Sequence, residues 1–159
     1  MKKAWVLFFV VMAVVADSCK STIEYPNGDK YVGKASSGIP QGEGEYTWKS
    51  GDSYVGLYAS GKRNGEGIYR WANGDVYRGT YKDDLKHGKG TYIWHTGDKY
   101  EGEWNNGKMQ GNGIYTWKNM DRYEGEFKDD MRHGKGTMFF QDGRVLKGIW
   151  KNNRYVGEQ

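Results

Sequence analysis

The stretch from Tyr100 to Trp117 reads YEGEWNNGKMQGNGIYTW, and its spacing decides the fold. Tyr100, Gly102 and Trp104 stand two residues apart, and so do Gly111, Gly113, Tyr115 and Trp117. Alternate residues of a strand point to one side of the sheet, whereas a helix scatters this spacing around its axis. The residues between them, such as Glu101, Glu103 and Thr116, suit the wet face of an antiparallel sheet. Asn106-Gly107 falls between the two runs and is a strong short-range hairpin signal. The stretch therefore predicts two antiparallel strands with rings and glycines on one side.

The same pattern recurs along the chain. Tyr-x-Gly stands at Tyr31, Tyr54, Tyr77, Tyr100 and Tyr123, with a fixed period of 23 residues, and Leu146-Lys147-Gly148 continues it. Gly-x-Gly follows at Gly42, Gly65, Gly88, Gly111 and Gly134, and is read as a pair of strand glycines on the aromatic side. Each unit then closes on two more side chains, from Tyr46 and Trp48 in the first to Met138 and Phe140 in the fifth. Turn residues separate the strands within units (Ser37-Gly38, Asp83-Asp84) and between them (Asn27-Gly28, Asn73-Gly74). A strand glycine costs about 0.5–1 kcal/mol of backbone entropy. Burial of several rings per unit outweighs that cost only if units stack, because a lone hairpin is marginal. The array, and not the unit, is then the folding entity.

Tyr-x-Gly-x-Trp-x-x-Gly-x-x-x-Gly-x-Gly, as it stands from Tyr100 to Gly113, resembles the MORN repeat. The resemblance covers about residues 25–159 and implies an all-β fold, an elongated, twisted single antiparallel sheet of tandem 23-residue hairpins. Two positions depart from it. Ala35 lacks the ring of its counterparts, and Met120 replaces the glycine of an inter-unit turn. The last unit is half complete after Gly157, and both ends are expected to act as caps.

Composition sets the surrounding limits. The 25 glycines exceed the usual share of about 7%. Aromatics make up 16% of the chain despite a mean hydropathy of −0.92, so the buried material is rings and disorder is excluded. The net charge is +4, with signs interleaved and no basic stripe, which excludes a nucleic-acid binder. Lys2 and Lys3 precede an apolar run from Ala4 to Ala16 that is too short to cross a bilayer as a helix. Residues 1–18 therefore read as a signal peptide, and the protein as exported. Cys19 is the only cysteine and cannot form an internal disulfide. The segment before it resembles a bacterial lipobox, with Ser18 fitting and Asp17 and Ala16 departing. Cys19 is thus the candidate lipidation site and a membrane anchor if acylated; cleavage after Ala16 or Ser18 is the competing reading. Residues 19–24 read as a linker, and 25–159 as the array.

Little in the chain points to catalysis. His87 and His133 share an offset two units apart, roughly 19 Å at 4.8 Å per strand, too far to share a metal ion. They and His95 read as solvated turn residues. Asp52, Asp75, Asp98 and Asp121 recur after inter-unit turns, which suggests local hydrogen bonds to backbone N–H groups. No cofactor and no enzymatic activity are expected. The candidate binding face is instead the aromatic ribbon, about 50 Å long, of Tyr58, Trp71, Tyr81, Trp94, Trp104 and Trp117, although the same rings could simply cover one another. Ile149 and Trp150 are candidates for edge pairing. The expected function is a non-enzymatic protein-binding scaffold at the cell envelope, for an unknown protein partner or a second copy. Phospholipid binding is the alternative, without the basic cluster or amphipathic helix it usually needs. Carbohydrate stacking on exposed rings is a third reading.

Overall fold

The structure is a computed structural model that describes residues 20–158. The apolar run, the expected processing site and Cys19 lie outside the described residues. The strands are β1 (Ser21–Glu24), β2 (Lys30–Ser36), β3 (Ile39–Thr47), β4 (Ser53–Ala59), β5 (Lys62–Arg70), β6 (Val76–Lys82) and β7 (Leu85–Ile93). They continue as β8 (Lys99–Asn105), β9 (Lys108–Thr116), β10 (Arg122–Lys128), β11 (Met131–Phe139), β12 (Val145–Lys151) and β13 (Arg154–Gly157). Each pairs antiparallel with its neighbours in the chain, so sequence order is sheet order, and the sheet is a single open one. The expected architecture is the one found. Residues 21–24, read as linker, instead form β1 on the edge of β2.

Within each unit the turn has positive φ at both central positions: 48° and 84° at Asn106 and Gly107, 48° and 68° at Asp83 and Asp84. This is the primed turn whose twist matches the strands it joins. The register then shifts by two residues, and Gly42, Gly65, Gly88, Gly111 and Gly134 take positive φ there. The first glycine of each Gly-x-Gly is therefore a bulge residue and not an ordinary strand glycine, because accommodating the extra residues takes a left-handed backbone there.

The second glycine has a different task. Gly33, Gly44, Gly56, Gly67, Gly79, Gly90, Gly102, Gly113, Gly125, Gly136 and Gly148 stand opposite one another from β2 to β12. On this bare spine lie the rings of Tyr31, Tyr54, Tyr77, Tyr100 and Tyr123, all fully buried. A Cβ placed on Gly44, Gly67, Gly90, Gly113 or Gly136 would overlap the ring of the tyrosine above it. Each hydroxyl donates to the carbonyl three residues on, for example Tyr77 Oη to Thr80 O at 3.1 Å.

Met120 keeps the inter-unit turn at φ 70° without the glycine found at Gly97 or Gly143, and its side chain is 68% exposed. The left-handed conformation costs a Cβ-bearing residue about 1–2 kcal/mol, partly offset by glycine's greater freedom in the unfolded chain. Met120→Gly is expected to stabilise by about 0.5–1 kcal/mol, read as a higher urea midpoint with unchanged slope. A lower midpoint would contradict the strain argument.

Candidate binding surface

The aromatic face carries two parallel files of rings. The inner file zigzags from Tyr31 through Tyr58, Tyr54, Tyr81, Tyr77, Trp104, Tyr100, Phe127 and Tyr123 to Trp150. Its successive centroids lie 5.0–5.4 Å apart at 79–89°. This edge-to-face order is the favoured one for ring quadrupoles. The file is closed to solvent, with no member more than 6% exposed.

The outer file runs from Tyr25 through Tyr46, Trp48, Tyr69, Trp71, Tyr92, Trp94 and Tyr115 to Trp117. Here the rings are tilted by 32–47° at 4.4–5.5 Å. Its four tryptophans are only half-buried. Within the described residues no hydrogen bond reaches their indole nitrogens, whereas the buried Trp104 and Trp150 donate theirs to Gly90 O and Gly136 O, both at 3.2 Å.

A row of aspartates fixes this file from one repeat to the next. Asp75 accepts from Tyr92 Oη at 2.8 Å and from the backbone N–H of His95 at 2.8 Å, in the following turn. Asp29, Asp52 and Asp98 do the same with Tyr46 and Lys49, Tyr69 and Ala72, Tyr115 and Lys118. The aspartates were expected to bond locally; their N–H partners are twenty residues on, so each bridges neighbouring repeats. Burial works against the charge on Asp75, but the His95 N–H and ring, Tyr92 and Asn73 outweigh it and hold the carboxyl at about 2. Burial, seconded by Asp29 and Asp52 respectively, pushes the Tyr46 and Tyr69 hydroxyls to about 12.

Between the files sit cations that sequence reading missed. Arg63 lies 5.0–5.7 Å from the rings of Tyr54, Tyr69 and Tyr81, and Arg132 lies 4.6–5.7 Å from Trp117, Tyr123 and Trp150. Lys86 Nζ stands 4.0 Å from the Trp104 ring and 4.6 Å from Tyr92. Desolvation there lowers its pKa to about 8. Pro40 and Met109 fill the same slot in other repeats. The signal was a basic residue recurring at one offset, masked because Pro40 and Met109 interrupt its column.

The predicted site residues divide between the files. Trp71, Trp94 and Trp117 belong to the half-exposed ladder. Tyr58, Tyr81 and Trp104 do not join it: they are 3–6% exposed in the inner file, where their rings cover the spine tyrosines. The edge-pairing expectation for Ile149 and Trp150 is also corrected. They lie in β12, which β13 pairs through Ile149–Gly157 and Trp150–Tyr155. His87 and His133 are half-buried strand residues of β7 and β11, and not solvated turn residues; no hydrogen bond reaches Nδ1 of either. The opposite face carries a shallow furrow of about 780 Å³ along the spine, flanked by Arg78, Lys89, Glu101 and Glu103. Among the described residues no group of three His, Cys, Asp or Glu is placed to hold a metal ion, and no helix is long and apolar enough to cross a membrane.

Hairpins stacked into one open sheet, each latched to the next, define a repeat scaffold of quasi-one-dimensional kind. The MORN repeat matches at residues 31–53, 54–76, 77–99, 100–122 and 123–143. The chain belongs to the MORN-repeat family, which is generally a non-enzymatic repeat module. No curated protein matches it. Among solved structures it is similar to the SAS-4 TCP domain of Drosophila melanogaster, solved in complex with a proline-rich motif of Ana2. That likeness has a TM-score of 0.53 at 14% identity and covers 82% of this chain and 72% of the other; it is a likeness of fold. Virginiamycin B lyase from Staphylococcus aureus matches at 13% identity over 82% of this chain and 41% of the lyase, with a TM-score of only 0.21.

Proposed function

We propose that the protein is a non-enzymatic, protein-binding scaffold of a bacterial cell envelope, exported by its N-terminal segment and held at the membrane by lipid on Cys19. The partner docks on the outer aromatic file. The observation that carries this reading is the row of half-exposed tryptophans, Trp48, Trp71, Trp94 and Trp117, whose rings are fixed by tyrosine neighbours and aspartate latches. Rigid aromatics with a free polar tip lose little entropy on binding and are favoured as interface anchors. The MORN repeats and the all-β repeat fold fit a binding scaffold. The SAS-4 TCP domain, similar in fold, was solved with a proline-rich motif, which adds support for a peptide occupant.

A photocrosslinker at Lys118, beside the ladder, should trap a discrete envelope protein in cells; one at Thr91, on the opposite face, should not. Equal trapping from both positions, or none from either, would overturn the docking reading. Cys19→Ser should release the protein from membranes. If this variant still pellets with anionic liposomes, lipid head-group recognition replaces the anchor.

A further inference from the structure

Resting on that docking reading, the geometry points to the occupant: we infer that the ladder takes a proline-rich segment in the polyproline II conformation. The segment lies across the strands with one turn of ligand per repeat. Two periods coincide. Neighbouring strands lie about 4.8 Å apart and each repeat supplies two, so successive tryptophans recur about every 9.5 Å. Polyproline II advances about 3.1 Å per residue with three residues per turn, about 9.3 Å. An α-helix, at about 5.4 Å per turn, gains more than 1 Å of mismatch over every repeat and drifts out of step along the ladder.

The surface chemistry agrees with the spacing. A polyproline II chain makes no internal hydrogen bonds, so its carbonyls need donors, and the unused indole N–H groups of Trp48, Trp71, Trp94 and Trp117 supply one per repeat. The tilt of 35–47° between each of these indoles and the adjoining tyrosines corrugates the half-exposed edge of the ladder, and a pyrrolidine ring packs against such an aromatic ridge from outside. Lys49 and Lys118 are exposed at the turns beside the ladder, and the carboxylates of Asp29, Asp52, Asp75 and Asp98 stand along the same row. The signs are mixed there, so the occupant is selected by its prolines and not by its charge. Four indoles at three residues each accommodate about 12 residues.

The test titrates the whole chain, by tryptophan fluorescence, with synthetic peptides of one to six Pro-Pro-Gln triplets. Affinity should rise roughly three- to tenfold per triplet up to about 12 residues and then flatten as the peptide overruns the indoles. The matched Gly-Gly-Gln series, flexible and not preformed, should bind at least tenfold more weakly. Trp94→Phe keeps a ring against Tyr92 and Tyr115 but removes the N–H, and should cost roughly five- to tenfold without unfolding the sheet. Affinity that ignores peptide length, glycine peptides that bind as well, or an unchanged Trp94→Phe variant would each overturn the inference. The crosslinking from Lys118 would be untouched by any of these results, so the failure of the occupant and the failure of the docking face can be told apart.

Discussion

Stability is expected to climb between about pH 8 and pH 10 and then collapse within the next pH unit or two. Two opposed sets of titrations produce this shape. Lys86 sits among rings that strip its water, so its folded pKa falls to about 8 from 10.5. A lowered lysine pKa means the folded state gives up its proton first. The penalty of burying that charge is present below pH 8 and is relieved as pH rises toward 10.5. The tyrosines act in the opposite direction. Burial raises Tyr54 and Tyr123 to about 12 and lifts Tyr77 and Tyr100 above their usual value. A raised pKa contributes stability that is intact below pH 10 and is lost as pH rises toward the folded value. At pH 11 the unfolded chain gains about 1.4 kcal/mol per tyrosine by ionising. The fully buried Tyr54, Tyr77, Tyr100 and Tyr123 together then cost about 5 kcal/mol, a large part of a normal folding free energy. Urea midpoints across this range measure the effect, with tyrosinate absorbance appearing together with unfolding. Lys86→Met, the residue found one repeat later at Met109, should flatten the rise and leave the fall. A gradual ionisation of these tyrosines in the folded state would contradict the account.

Gly90→Ala is expected to cost about 3 kcal/mol or more, although it adds a single methyl group to a strand. Gly90 is the sixth of the eleven spine glycines, and its added Cβ would overlap the ring of Tyr77. That ring has nowhere to go. Tyr81 and Trp104 press edge-on against it at 5.2 and 5.4 Å, and its hydroxyl is tied to Thr80 O. The site is in the middle of an array where each unit is supported only by its neighbours, so the defect divides the sheet. Gly107→Ala is the comparison: nothing lies within 4 Å of its Cβ, and only the φ of 84° is strained, at about 1–2 kcal/mol. Tyr77→Phe keeps the packing and loses one hydrogen bond, about 1 kcal/mol. Guanidinium melts rank the three; equal costs for Gly90→Ala and Gly107→Ala would show that the ring yields.

The rings of one unit were legible as a set because strand alternation has a period of two. Tyr100, Gly102 and Trp104 were placed on one side correctly. Alternation does not say how deep a side chain lies on that side. Trp94 and Trp104 looked equivalent in the sequence. Yet Trp104 projects over the spine glycines and is sealed by Tyr77 and Tyr100, while Trp94 stands at the strand end with only Tyr92 and Tyr115 beside it. The aspartate latches and the Lys86 socket were illegible for a related reason: their partners come from different strands and repeats.

By itself, the sequence determined the strand period, the turns, the 23-residue unit and the stacking of units, because backbone conformation and local periodicity are written in neighbouring residues. Only the tertiary structure decided which rings face solvent, where the free indole N–H groups stand and which cations are enclosed. Exposure and desolvation depend on what the next repeat places overhead, and that is a property of the assembled sheet.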